Sequence, residues 1–237
     1  MFIVIGLLLA WIHLSWTVPP ESAMPFNSKA SPSLSTPSKN EITSLYDLMD
    51  LKQKGLSKKA FEYAYKGYRS LVKKKIITEQ RYLVICDFGQ SSNNKRFYVL
   101  DMSDKKVMIN TYLAHGRRSG GEYATRFSNK PRSNQSSLGF YKTLQTYQGE
   151  HGLSLRVKGL DPGYNDKATA RAIVIHGADY IGEQWLERNQ YMGRSYGCPA
   201  IPKKESVDII NKIKEGCCMF IYFPSKTYLS KSKILNG

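Results

Sequence analysis

Cys198 stands in residues 193–201, GRSYGCPAI, between a glycine and a proline and just after an arginine, a serine and a tyrosine. A cysteine that fills a core sits inside an apolar run, as Cys86 does in YLVICDF and Cys217 and Cys218 do in CCMFIYF. Cys198 is placed differently. Nucleophilic thiol chemistry needs a thiolate, a base to accept its proton, and donors for an oxyanion. Gly197 permits a sharp backbone turn and keeps a side chain out of the substrate's path, so the amides of Gly197 and Cys198 are expected to point at a developing oxyanion. Pro199 has no amide donor and biases Cys198 towards an extended backbone, which would hold the thiol where a strand begins. His176 ends the apolar run AIVIHG and is the candidate base. The stretch between the two residues has room for a helix, IGEQWLERN, and a return loop, so they can meet in space.

Cysteine and histidine also bind metals, but the sequence has no Cys-x-x-Cys pair, no His-Glu-x-x-His and no second ligand near Cys198. No metal or cofactor is expected. In an exported protein the remaining cysteines could pair, Cys86 with Cys217 or Cys218, and the sequence leaves that open.

The elements that must position these residues are legible from periodicity. Leu45, Leu48 and Met49, then Leu56, Ala60, Phe61, Ala64, Tyr65, Tyr68, Leu71 and Val72, recur at three and four. They predict two amphipathic helices broken at Gly55, the second with Ser57 as its N-cap. After Ile76 the period changes. RYLVICDFG, KRFYVLDM, KVMINTYLAH, LGFYKTLQTY, LSLRVKGL, ARAIVIHGA and CMFIYF are short runs bounded by turn residues, and read as strands of a mostly antiparallel sandwich or barrel. Residues 181–186 and 203–214 return to a helical pattern, with Val207, Ile209, Ile210 and Ile213 as the apolar positions of the later one. The fold class is mainly β with flanking helices (α+β), and the chemistry sits on loops and strand ends. No internal repeat and no Rossmann or Walker phosphate loop is present in the sequence.

With 237 residues the chain suits one sizeable domain or two small ones. Lys plus Arg (35) exceed Asp plus Glu (19), a net charge of +16 that favours polyanions or an anionic envelope. The cations are densest in residues 51–75, where they alternate with apolar positions as a solvated helix face or an anion contact would require. Residues 1–18, MFIVIGLLLAWIHLSWTV, carry no acidic or basic side chain and read as a signal peptide or membrane anchor. Residues 19–40, rich in Pro, Ser and Lys, read as a disordered linker. Residues 41–76 form the helical segment expected to pack on a catalytic domain at 77–237. Export would carry the chain away from nucleic acid, whose recognition signatures are missing from the sequence. No nucleic-acid partner is expected, and no protein partner is indicated.

IVIHGA followed by GRSYGCPAI resembles the catalytic signature of the murein L,D-transpeptidases of the YkuD-like superfamily, in a branch with Ser-x-Gly-Cys-Pro-Ala where Ser-His-Gly-Cys is commoner. The likeness covers roughly residues 82–223. It implies an L,D-transpeptidase-like β-sandwich or barrel, with Cys198 as the acyl-accepting nucleophile and His176 as its base. By the same resemblance the Gly177 carbonyl orients that histidine, and Ser195 and Gly197 shape the oxyanion pocket. Tyr196 departs from the pattern where many relatives carry a second histidine, which leaves His151 or His115 to approach in space. Arg194, Tyr196 and His151 are the candidate substrate contacts, Arg194 as partner of the thiolate or of a substrate carboxylate. Tyr141, Tyr147 and Tyr164 are weaker candidates for the groove. The implied reaction is acyl transfer from a peptidoglycan stem tetrapeptide through a Cys198 thioester to an amine, with release of D-alanine. An L,D-carboxypeptidase and a non-catalytic basic wall-binding module are the alternatives. The implied setting is the periplasm or cell envelope, with a tether through residues 1–18.

Overall fold

The computed structural model describes residues 37–237. The expected signal or anchor, and most of the expected linker, lie outside the described residues. Helix α1, Lys39–Leu48, begins two residues before the expected boundary because Ser38 caps it, its Oγ accepting from the Glu41 amide at 3.1 Å. The turn after it closes at Gly55, whose φ of +81° suits a residue without a Cβ. Ser57 then caps α2, Lys58–Lys73, by accepting from the Ala60 amide at 3.1 Å. Phe61, Ala64, Tyr65, Tyr68, Leu71 and Val72 form its buried face, while Lys58, Lys59 and Lys73 are exposed.

Strands β1 (Tyr82–Asp87), β2 (Phe97–Asp101) and β3 (Lys106–Thr111) form an antiparallel meander. β4 (Gly139–Gly149), β5 (Gly152–Gly159) and β6 (Val174–Ala178) form a second, and β8 (Cys218–Tyr222) joins the two. The sheet order is β3-β2-β1-β8-β4-β5-β6-β7, with β7 (Ala200–Pro202) at the far edge. β1–β8 and β6–β7 are parallel and the other neighbours antiparallel. Just beyond β3, the Ala114 amide donates to the Ala200 carbonyl at 2.8 Å, so the two edges meet and the sheet nearly closes into a barrel.

Each expected strand is present. The sequence pattern missed β7, which at three residues is too short to show a period. It also missed two C-terminal helices, α5 (Lys226–Lys231) and α6 (Lys233–Asn236). The helices between, α3 (Glu183–Leu186) and α4 (Lys203–Ile213), fall where the pattern turns helical. Val207 was read as an inward position of α4 but is 51% exposed, and Ser206 is buried in its place. A Cβ on Gly177 would come within 2.4 Å of Ser206 Oγ, so α4 lies too close to β6 for a larger pair. No disulfide joins the described cysteines. In the β1–β8 register Cys218 faces Leu83 and Cys86 faces Ile221, three residues apart, roughly 10 Å along the strands. That exceeds the ~7 Å limit for a bridge.

The buried Asp161 ties the C-terminal helices to the barrel. Its carboxylate accepts from the Phe140 amide at 2.7 Å, the Tyr228 hydroxyl at 3.1 Å and the Ser232 hydroxyl at 2.6 Å. α2 is seated on the barrel wall through Gly67, where a Cβ would lie 1.9 Å from the Phe140 ring. That ring is itself stacked on Phe220 at 4.2 Å. Gly67→Ala should therefore lower the urea midpoint. The ~1 kcal/mol gained in helix propensity is opposed by overpacking worth about 1–3 kcal/mol, and an unchanged or raised midpoint would show that α2 is loosely seated.

Candidate functional site

The β6–β7 pair brings the two segments that carry the candidate residues side by side. His176 is the register partner of Ala200, two residues after Cys198, and the Val174 amide, two residues before His176, reaches the Cys198 sulfur. Cys198 is half-buried, and its Sγ faces the Ala172 carbonyl at a long 3.9 Å. Ala172 has φ of +52°, a left-handed conformation uncommon for a residue with a side chain, and it turns the chain into β6.

His176 is buried at the middle of β6 rather than at its end, and its Nδ1 lies 3.0 Å from the Gly177 carbonyl. A carbonyl can only accept, so Nδ1 carries the proton and Nε2 is left as the basic nitrogen. Burial pushes the imidazole below its ordinary value, against the Gly177 carbonyl, and His151 adds to the lowering. The exposed His151 ring stacks on His176, centroids 4.3 Å apart and 21° from coplanar. Of the two histidines left open by sequence, His151 is the one that reaches the candidate base. The side chain of His115 faces elsewhere.

The loop carrying the thiol is pinned at Ser195. The Ser195 amide donates to the His115 carbonyl at 3.0 Å, and its carbonyl accepts from the Arg117 amide at 2.8 Å. Its hydroxyl donates to the Cys198 carbonyl at 2.6 Å and accepts from the Gly197 amide at 3.0 Å. The Gly197 amide, expected to serve an oxyanion, is thus engaged within the loop itself. Gly197 has φ of +128°, and a Cβ there would sit 2.9 Å from the Gln135 carbonyl and 3.2 Å from Arg171 Nη2.

Arg171 is the cation whose charge acts on the Cys198 thiol. Its guanidinium donates to the Ser128 and Gln135 carbonyls at 2.7 and 2.6 Å and to the Ser137 and Ser133 hydroxyls at 3.2 and 3.3 Å. Burial raises the Cys198 pKa, while the Val174 amide and the Arg171 charge work in the opposite direction. Arg194 donates to the Gly120 carbonyl at 3.0 Å and lies over the Tyr191 ring. Tyr196 is 69% exposed beneath the Arg117 guanidinium, 4.5 Å from ring centre. Tyr180, which sequence reasoning passed over, packs on Gly193, and its hydroxyl is pushed up to about 12 by burial and by Cys198 and Tyr196. Tyr141 is core, its hydroxyl bonded to Ser137 at 2.8 Å, and Tyr147 lies under Arg156. Tyr164 stacks edge-on against Tyr228, beyond the thiol loop.

Behind the loop, Arg96 is fully buried. It donates twice to the Leu113 carbonyl, at 3.0 and 2.9 Å, and to His115 Nδ1 at 2.8 Å. Burial and the Arg96 charge push His115 down to about 3, so its ring is neutral. Among the described residues no three metal-binding side chains gather, and no helix is long and apolar enough to cross a membrane.

The sequence pattern of the L,D-transpeptidase catalytic domain family matches residues 52–222. The chain belongs to that family. No curated protein matches it by sequence. Solved L,D-transpeptidase structures resemble it distantly. One from Mycobacterium smegmatis is 13% identical, with 60% of this chain and 59% of that one covered and a TM-score of 0.37. One from Mycobacterium tuberculosis is 13% identical over 60% and 58%, TM-score 0.36, and one from Stackebrandtia nassauensis 14% identical over 78% of each, TM-score 0.34. This L,D-transpeptidase domain spans less than two thirds of the first of these, and its membership rests on the sequence match.

Two measurements test the electrostatics of this candidate site. Iodoacetamide labelling of Cys198 should accelerate with pH to a midpoint above that of an ordinary thiol, and Arg171→Met should move the midpoint further up; an unmoved midpoint would remove Arg171 from the thiol's field. His115 titrates near pH 6.5 when unfolded and near 3 when folded, so the folded state forgoes a proton that the unfolded state binds in between. Its share of the stability is whole above pH 6.5 and is lost, at up to about 1.4 kcal/mol per unit, as pH falls towards 3. His115→Asn, which keeps an acceptor for Arg96, should flatten that part of the denaturation profile relative to the parent.

Proposed function

We propose that the chain is a cysteine-dependent peptidoglycan L,D-transpeptidase, acting in the cell envelope on stem tetrapeptides. The observation that supports this reading is His176, its Nδ1 satisfied by Gly177, on a strand whose parallel neighbour begins two residues after Cys198. In this scheme His176 Nε2 takes the Cys198 proton as the thiolate attacks the carbonyl of the third stem residue. The carbon–sulfur bond forms, the carbon–nitrogen bond to the terminal D-alanine breaks, and His176 returns the proton to the departing amine. An amine of a second stem then attacks the thioester, loses its proton to His176, and leaves a 3–3 cross-link and a free thiol. Burial on both partners supports an initial neutral pair, Cys198 raised and His176 lowered, with proton transfer coupled to attack. The net charge of +16 suits an anionic wall.

The half-open thiol also favours water as second acceptor, which would make the same thioester the intermediate of an L,D-carboxypeptidase. The products separate the two. The full chain incubated with disaccharide tetrapeptide should release D-alanine and give a cross-linked dimer, followed by mass spectrometry. Tripeptide without dimer would assign the hydrolase. Cys198→Ala should abolish both products, and His176→Gln should lower the rate about 10²- to 10⁴-fold; full activity in Cys198→Ala would refute the nucleophile.

A further inference from the structure

Gly149 and Gly152 are register partners at the end of the β4–β5 hairpin, which leaves Glu150 and His151 as its connecting loop. Gly152 closes that loop with φ of +77°, which a glycine adopts freely. From this tip the His151 imidazole lies flat on His176, ring centroids 4.3 Å apart and 21° from coplanar. The outer ring is exposed and the inner one buried, so His151 covers the candidate base. No step of the proposed acyl transfer uses that outer ring.

The inner ring is held in two ways. The Gly177 carbonyl, 3.0 Å from Nδ1, fixes its edge. His151 fixes its plane, since a ring beneath a stacked neighbour cannot turn about χ2 without lifting it. Together they leave Nε2 as the free basic nitrogen in one orientation. The same contact couples the two protonation states. Two imidazolium rings at this separation repel, so the pair resists a second proton, and charge on the buried member is the less favoured. Few other charges stand nearby. Glu150, Asp179, Lys203 and Tyr180 line a cleft of about 370 Å³ with His151 and Gly177, and Lys203 is paired with Asp179 at 2.8 Å. Across the strands His176 faces Ser154 of β5 and Ala200 of β7, and Ser206 of α4 packs on Gly177, none of them charged. No ion pair among the described residues includes either imidazole. Face-to-face rings direct their lone pairs side by side rather than at one point, so the pair is not arranged to share a metal ion.

We propose that His151 is a positioning residue for His176: it holds the imidazole plane of the base and, once charged, keeps the base from taking a proton from solvent. This rests on the transpeptidase reading for the role of His176, but the contact can be tested without turnover. His176 thereby stays a proton acceptor at lower pH than it would without its neighbour.

The test follows the His176 ring by nitrogen NMR in the full chain carrying Cys198→Ala. Three forms are compared: His151 intact, His151→Phe, which keeps a flat ring without charge, and His151→Ala. In His151→Phe, His176 should bind its proton about tenfold more tightly. The His176 Nδ1–H signal should be present in the parent and in His151→Phe, and lost through exchange with water in His151→Ala. A titration that does not move in His151→Phe, or an Nδ1–H signal that is absent from the parent or survives in His151→Ala, overturns the proposal. In the Cys198-intact chain, the acid limb of kcat/KM on disaccharide tetrapeptide should move to higher pH in His151→Phe, because a base that holds its proton more tightly is freed of it only at higher pH. Movement of the His176 titration with no turnover in any form would retain the positioning role and refute the transpeptidase reading. Turnover whose pH profile ignores His151→Phe would keep that reading and overturn the role of His151.

Discussion

The Ser195 hydroxyl spans the thiol loop, accepting from the Gly197 amide and donating to the Cys198 carbonyl. A loop with a glycine at φ +128° has many alternatives in solution, and one small side chain removes most of them by linking residues two and three positions ahead. The serine can do this only because its own backbone is held on both sides, by the His115 carbonyl and the Arg117 amide. That segment in turn is fixed from inside the barrel by Arg96, through Leu113 and His115. A chain of short polar contacts thus runs from the core to the nucleophile, and each link leaves little freedom to the next.

Burying a guanidinium is costly unless its donors are satisfied. Arg96 and Arg171 meet that condition in different ways. Arg96 spends itself on Leu113, Gln90 and His115, and burial pushes its pKa down to about 9. Arg171 spends four hydrogen bonds on the 128–137 loop, yet its charge still reaches Cys198. The first builds the frame and the second tunes what the frame holds. Neither carries the surface charge that dominates the composition.

Periodicity exposed the strands and the two leading helices because their buried faces repeat at two and at three or four residues, as Phe61, Ala64, Tyr65 and Tyr68 do in α2. The Gly-Cys-Pro context marked Cys198 because those neighbours have no use inside a strand. Arg171 was invisible for a physical reason: one arginine among 35 cations carries no local sign that its partners lie on a loop far away in sequence. Tyr180 and the Ser195 clamp were hidden likewise, since their roles arise where separate segments cross. The Gly197 amide was misjudged because sequence shows that a donor exists, not which acceptor reaches it first. The α5 and α6 helices escaped because they are too short for a period and are tied down by Asp161 from another part of the chain.

Parallel neighbours cannot be joined by a tight turn; a long excursion must carry the chain from the end of one back to the start of the other. Between β6 and β7 that excursion holds α3, Tyr180, Trp185 and Tyr191, and these three side chains wall a cleft of about 550 Å³ beside Arg117 and Arg194. His176 therefore lies in the sheet at one end of the excursion and Cys198 just before the strand at its other end, while the cleft walls belong to the slack between them. Insertions or replacements in that stretch can reshape the cleft without altering the register of β6 against β7, so the cleft and the strand pair are free to diverge at different rates.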